Sequence, residues 1–191
     1  MSRCKLDDCL LWNSADHRGA KPTCSVSDVH SKGYLRVKVD KSDEILKVYD
    51  LEKYFGLRSI KRPDRLLLGR VSDNPWVVAF VEVKSNTGWK HAVQKFQDVL
   101  PEFSRSTRKG ETHHAKCASL MPDGEKHRVL ALIVGHVGRE RSKHKRRGNR
   151  RVSEREKAKL SFGGKSIPIV PPINADFDSL RKLWQRVGVL P

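Results

Sequence analysis

Two carboxylates and a lysine stand at the ends of two apolar runs in this chain. Asp64 follows Pro63 and leads into Arg65-Leu66-Leu67-Leu68; Glu82-Val83-Lys84 closes the run Trp76-Val77-Val78-Ala79-Phe80-Val81. Charged groups at the ends of buried strands are costly unless they are paired or bind something. A pair of hard-oxygen ligands beside an ammonium suits metal-assisted phosphoryl chemistry. The acids would hold Mg²⁺, which keeps several of its waters, and the lysine would hold the attacking water or neutralise phosphate charge.

The elements that must position these groups are two strands. Both runs are short, rich in Val, Leu and Phe, and bounded by turn residues. Ser72-Asp73-Asn74-Pro75 between them is a turn by composition. An antiparallel hairpin follows, with Asp64 facing Glu82 if the loop is Ser72 to Asn74, or Val83 if it is one residue longer. Side chains alternate along a strand, so Glu82 and Lys84 share one face and Val81 and Val83 the other. Facing carboxylates repel, and one takes a proton unless a cation lies between them. Taken singly, each residue is also what an ordinary strand end carries; their coincidence in a basic chain favours the chemical reading.

Pro63-Asp64, a gap of 17 residues and Glu82-Val83-Lys84 resemble the motif of the PD-(D/E)XK nuclease superfamily, over roughly residues 45–137. The resemblance implies a restriction-endonuclease-like α/β fold: a mixed β-sheet flanked by helices, running helix, three strands, helix, strand. It implies Asp64, Glu82 and the main-chain carbonyl of Val83 as metal ligands, Lys84 as the catalytic lysine, and Mg²⁺ or Mn²⁺ as cofactor. Some branches add a Gln or Lys from the following helix, for which Gln94 is the first candidate and Lys90 the second. Many members carry a further acid on a helix ahead of the sheet. No amphipathic helix precedes Tyr34 here, a departure that leaves Glu44 and Glu52 as the available acids.

Beyond Lys84 the pattern continues. Trp89, Val93, Phe96 and Leu100 recur at helical spacing, with Lys90, Gln94 and Gln97 as a polar stripe and Pro101 as the expected stop. Arg128 to Val137 reads as a buried strand. Upstream, Tyr34 to Val39 alternates as an edge strand does, and Ile45 to Phe55 is ambiguous between strand and short helix.

Composition points to a polyanionic partner. The 191 residues include 39 Lys and Arg against 22 Asp and Glu, a formal net charge of +17. Arg139, Arg141, Lys143, Lys145, Arg146, Arg147, Arg150 and Arg151 crowd one segment just after the last expected core strand. Arg58, Lys61, Arg62 and Arg65 bracket Asp64. These residues are the expected phosphate contacts, and Lys90 joins them. Basic-aromatic interleaving for a single-strand platform is not evident, so duplex or branched DNA is the expected substrate, with a homodimer as one way to cut both strands. A non-catalytic DNA- or RNA-binding protein on the same fold, or an RNA-protein subunit anchored by the basic segment, is the alternative.

Cys4, Cys9, Cys24 and Cys117 lack the usual C-x₂-C spacing of a zinc site, even with His30, His113 and His114 nearby. Free thiols in a reducing, cytoplasmic compartment are expected, with no membrane segment. The expected organisation is a single domain with an N-terminal extension over 1–32, a nuclease-like core over 33–138, and a basic segment and C-terminal helix over 139–191. Ser161 to Pro172 reads as a loop and Asp176 to Val187 as the closing helix, capped by Asn174 or Asp176. A short helix is expected around Asp7 to Asn13.

Overall fold

Strand propensity in three Val- and Leu-rich runs sets the architecture. The computed structural model describes residues 6–27, 32–55, 61–84, 89–104, 127–135, 159–162 and 165–191. Its main sheet has six strands, side by side in the order β1 (Leu10–Asn13), β4 (Glu44–Asp50), β5 (Arg65–Val71), β6 (Trp76–Lys84), β7 (His127–Gly135) and β10 (Ile169–Ile173). A three-stranded sheet places β3 (Tyr34–Lys38) between β2 (Thr23–Ser27) and β11 (Ala175–Phe177), and β8 (Leu160–Phe162) pairs with β9 (Lys165–Ile167). Among the described residues the α-helices are α1 (Leu51–Phe55), α2 (Trp89–Ser104) and α3 (Leu180–Arg186). The fold is therefore mixed α/β and mostly strand.

In the main sheet β4, β5 and β6 run antiparallel in succession, and β7 then lies parallel to β6. A parallel neighbour needs a crossover connection, and α2 lies within it. Alternation along β6 divides the interior. Trp76, Val78 and Phe80 face Ala92, Phe96 and Phe103 of α2. Val77, Ala79 and Val81 face Leu35 and Val37 of the small sheet and Leu183 and Trp184 of α3. With layers on both sides, β6 is buried throughout except at Lys84, which is why its sequence is a continuous apolar run and not an alternation.

Several elements differ from the sequence reading. The helix does not stop at Pro101 but continues to Ser104. Phe103 explains it: the ring is buried, with centroids 5.1 Å from Phe80 and 5.7 Å from Phe55. Burying such a ring contributes roughly 2–3 kcal/mol, and each aromatic pair about 0.5–1.5 more, enough to offset the ~3 kcal/mol of a mid-helix proline. Residues 45–55 are both strand and helix, β4 leading directly into α1. Tyr34–Lys38 is the middle strand of its sheet, because β11 arrives from far along the chain to pair with it. The expected loop at 161–172 holds β9 and most of β10, whose Pro171 and Pro172 are tolerated because that strand lies at the sheet's edge among the described residues.

At the termini, Asp7–Cys9 is a single 3-10 turn that passes straight into β1, so residues expected as an extension belong to the main sheet. The closing helix starts only at Leu180. Ser179 caps it, its side chain accepting the Lys182 N–H at 3.1 Å, while Asp176 lies in β11 and Asn174 accepts the Tyr34 N–H at 2.8 Å.

Candidate active site

The hairpin register brings the two acids together. Arg65 pairs with Val81 and Gly69 with Val77; continuing by one residue sets Asp64 opposite Glu82, the register of the shorter loop. Ser72 takes a positive φ of 47° to close that turn. By strand parity Asp64, Glu82 and Lys84 all lie on the α2 face, at the end of the sheet where β5 begins and β6 finishes.

There β5 stops pairing, so the Val83 N–H meets no carbonyl from it. Asp64 supplies the acceptor, its Oδ2 lying 2.7 Å from that nitrogen. Asp64 is thereby fixed by the main chain of the residue between Glu82 and Lys84. Glu82 is fully buried. Lys84 forms an ion pair with its Oε1.

A second ammonium arrives from α2. Lys95 Nζ lies 2.7 Å from Glu82 Oε1, 2.9 Å from Glu82 Oε2 and 3.3 Å from Asp64 Oδ1. Burial first, and the Asp64 charge second, push the Glu82 carboxyl up to about 7, against the pull of Lys84 and Lys95. Burial works to lower the Lys95 ammonium, but Glu82 and Asp64 outweigh it and hold the group above its ordinary value.

Lys95 is the residue that sequence reasoning missed. Gln94 was expected in its place, yet the Gln94 amide is exposed and donates to Asp98 Oδ1 at 2.7 Å, one turn along. At about 100° per residue, Gln94 and Lys90 fall roughly opposite the arc of Ala92, Phe96 and Val99, whereas Lys95 borders that arc. Its stem can therefore lie over the sheet while its head reaches the strand ends. A lysine flanking the apolar arc was the available signal. Lys90 is exposed; the side chain of Trp89 lies outside the described residues.

The upstream acids do not complete the site. Glu44 is opposite Val71, at the far end of the strands, and is consumed by structure: it accepts the backbone N–H groups of Asp40 at 2.8 Å, Leu180 at 3.1 Å and Arg181 at 2.9 Å. Glu52 is an exposed residue of α1. Arg65 spans Asp50, 3.6 Å away, and the Asp64 carbonyl at 2.9 Å, so it braces the backbone under Asp64. Lys61 is exposed and Arg62 half-buried. Arg58 and the basic residues from Arg139 to Arg151 lie outside the described residues, as do Cys4, His30, His113, His114 and Cys117. The strand that leads to the basic segment nevertheless ends beside the site, since Gly135 pairs with Lys84. Cys9 and Cys24 are buried, and burial pushes the Cys24 thiol up to about 12.

Two glycines fix the main chain of Lys84. A Cβ on Gly135, whose φ is +124°, would lie 1.8 Å from the Lys84 carbonyl oxygen, and one on Gly33 would lie 2.7 Å from the same atom. Only glycine permits this approach.

The donor chemistry fits a hard divalent cation. Asp64 and Glu82 offer carboxylate oxygens, and the buried Glu82 Oε1, though within ion-pair reach of both ammoniums, makes no aligned hydrogen bond. Among the described residues no third His, Cys, Asp or Glu joins them, so most of the coordination shell would be water, as Mg²⁺ tolerates.

No family model, curated protein or solved structure matches the chain. Among the described residues, no helix is long and apolar enough to cross a membrane.

Proposed function

We propose that this protein is a PD-(D/E)XK-like, Mg²⁺- or Mn²⁺-dependent endonuclease that hydrolyses phosphodiester bonds in DNA. The observation that carries this reading is the convergence of Asp64 and Glu82 across the β5–β6 ladder with two lysines on Glu82. The succession β4, α1, β5, β6, α2 and β7 supports it, being three antiparallel strands, with the five-residue α1 between the first two, then a helix and a strand parallel to the third. So does the net charge of +17, together with the end of β7 beside Lys84, the strand that precedes the basic segment in the sequence.

In this reading Asp64 and Glu82 would hold the metal, with the Val83 carbonyl as the third protein ligand that the family resemblance implies. The bound metal would polarise a phosphoryl oxygen and lower the pKa of a water. Lys84, pinned through its backbone, holds its amine at Glu82, where it can orient the attacking water and stabilise charge on the phosphorane. Burial of Glu82 keeps bulk water from screening these interactions.

The alternative, a nucleic-acid-binding protein without catalysis, gains one specific observation: Lys84 and Lys95 already balance both carboxylates. Cleavage of linear, branched and single-stranded DNA, with RNA alongside, in Mg²⁺, Mn²⁺ and EDTA separates the two. Metal-dependent cutting of duplex or branched DNA by wild type, lost in Asp64→Asn, is expected. Salt-sensitive binding without cutting in either metal would select the non-catalytic reading.

A further inference from the structure

Lys95 sits where a metal would have to sit. Its Nζ is within 3.3 Å of Asp64 Oδ1 and 2.7 Å of Glu82 Oε1, so the space between the two carboxylates already contains a cation. An ammonium and a divalent ion cannot share those oxygens at contact distance without strong repulsion. Either the lysine leaves or the metal does not enter.

We propose that Lys95 is an exchangeable counter-ion, closing the Asp64–Glu82 pair in the metal-free protein and giving way to a divalent cation, whereupon its amine turns outward to the phosphate backbone. This inference rests on the nuclease reading and adds to it how the site is kept before metal arrives.

Charge and mobility both argue for exchange. With both carboxylates ionised and both lysines in place the cluster is formally neutral, so the two ammoniums balance the acids without metal. With a divalent ion in place of the Lys95 ammonium the cluster becomes positive, which repels that ammonium and attracts an anion. Lys95 is free to respond, for its side chain is 21% exposed and stands on a flexible four-carbon stem. Its helix need not move, because Phe96 and Val99 are fully buried. Lys84 shares that stem and a similar exposure of 19%, but it extends along β6 from a main chain closely approached by Gly33 and Gly135, whereas of the two Lys95 alone reaches both carboxylates. Lys95 is therefore the ammonium that a metal between the two acids would displace.

The test is Mn²⁺ binding to the metal-free protein by titration calorimetry, without DNA, for wild type, Lys95→Met, Lys95→Gln and Asp64→Asn. Removing the competing ammonium should tighten Mn²⁺ binding at least tenfold in both Lys95 variants, and Asp64→Asn should weaken it at least tenfold. In unaltered protein carrying ¹³C-labelled lysine, the Lys95 ε-carbon resonance should shift on addition of Mg²⁺, a readout that does not depend on any variant folding. Equal or weaker Mn²⁺ affinity in the folded Lys95 variants, or an ε-carbon signal that does not shift, overturns the exchange and leaves the metal reading standing. Absence of Mn²⁺ binding in wild type and both Lys95 variants overturns both.

Discussion

Asp64 is bound to the main chain of Val83 as well as to a cation: its Oδ2 accepts the Val83 N–H at 2.7 Å, at the point where the β5–β6 ladder ends. Two substitutions separate those roles. Asp64→Asn keeps an oxygen for the amide and removes the charge, so it should abolish cleavage while leaving stability close to wild type. Asp64→Ala also leaves the amide without its acceptor and should cost about 1–2 kcal/mol more. Urea denaturation of the two variants, with cleavage assays alongside, checks this; equal stability would show that the amide bond contributes nothing.

Glu82 gives the metal-free protein a pH dependence of definite sign. Its carboxyl is raised from 4.5 to about 7 in the folded state, by burial before all else. Between those values the folded protein binds a proton that the unfolded chain releases. This group's contribution to stability is therefore complete below its unfolded value and is lost as pH rises through its folded one. Over that window wild type should lose up to about 3 kcal/mol relative to Glu82→Gln. Denaturation curves for both proteins in EDTA, from pH 4.5 to 8, test it. Parallel pH profiles would show that Glu82 is ionised throughout.

Glu44 should behave in the opposite way, as a structural acid with no part in the chemistry. Its carboxylate accepts three backbone N–H groups and joins the start of β4 to the start of α3. Glu44→Ala leaves those donors without their acceptor and should destabilise the fold by roughly 2–4 kcal/mol. Mn²⁺ affinity of the folded fraction should not change, because Glu44 is at the other end of the strands from Glu82. A loss of metal affinity with unchanged stability would place Glu44 in the site after all.

Gly135→Ala tests the seat of Lys84. The new methyl would collide with the Lys84 carbonyl oxygen at 1.8 Å, on a backbone with φ of +124°. Backbone strain of this kind costs on the order of 1–3 kcal/mol before the collision is counted, so a fall in Tm of several degrees is expected. Gly19 is the control, since its φ is +88° but nothing lies within 4 Å of its Cβ position; Gly19→Ala should pay for the backbone alone and lose less. Equal losses would mean that the approach to Lys84 is unimportant.

The hairpin and its acids were legible because they obey local rules. Two apolar runs joined by Ser72-Asp73-Asn74-Pro75 leave little choice of pairing, and alternation alone puts Glu82 and Lys84 on one face. The register required the structure, since one turn residue more or less decides whether Asp64 meets Glu82 or Val83. Lys95 was not legible because a lysine beside an apolar arc is normally a stem lying over the core with its head in water; only the opposing carboxylates show that it points inward. The place of Tyr34–Lys38 was hidden for another reason. Its partner Ala175–Phe177 is far off in the sequence, and no local pattern encodes which distant segment completes a sheet. The late start of α3 has the same origin, as β11 claims residues that would otherwise extend the helix.

Pro171 and Pro172 on β10 have a consequence for how copies of this chain meet. A growing cross-strand assembly needs a row of amide hydrogens on the strand it adds to. Among the described residues β10 is one of the two edges of the main sheet, and two adjacent positions on it carry no amide hydrogen. An incoming strand would meet that gap in the hydrogen-bonding row on this edge, and the gap is covalent, present from synthesis and independent of salt, pH or metal.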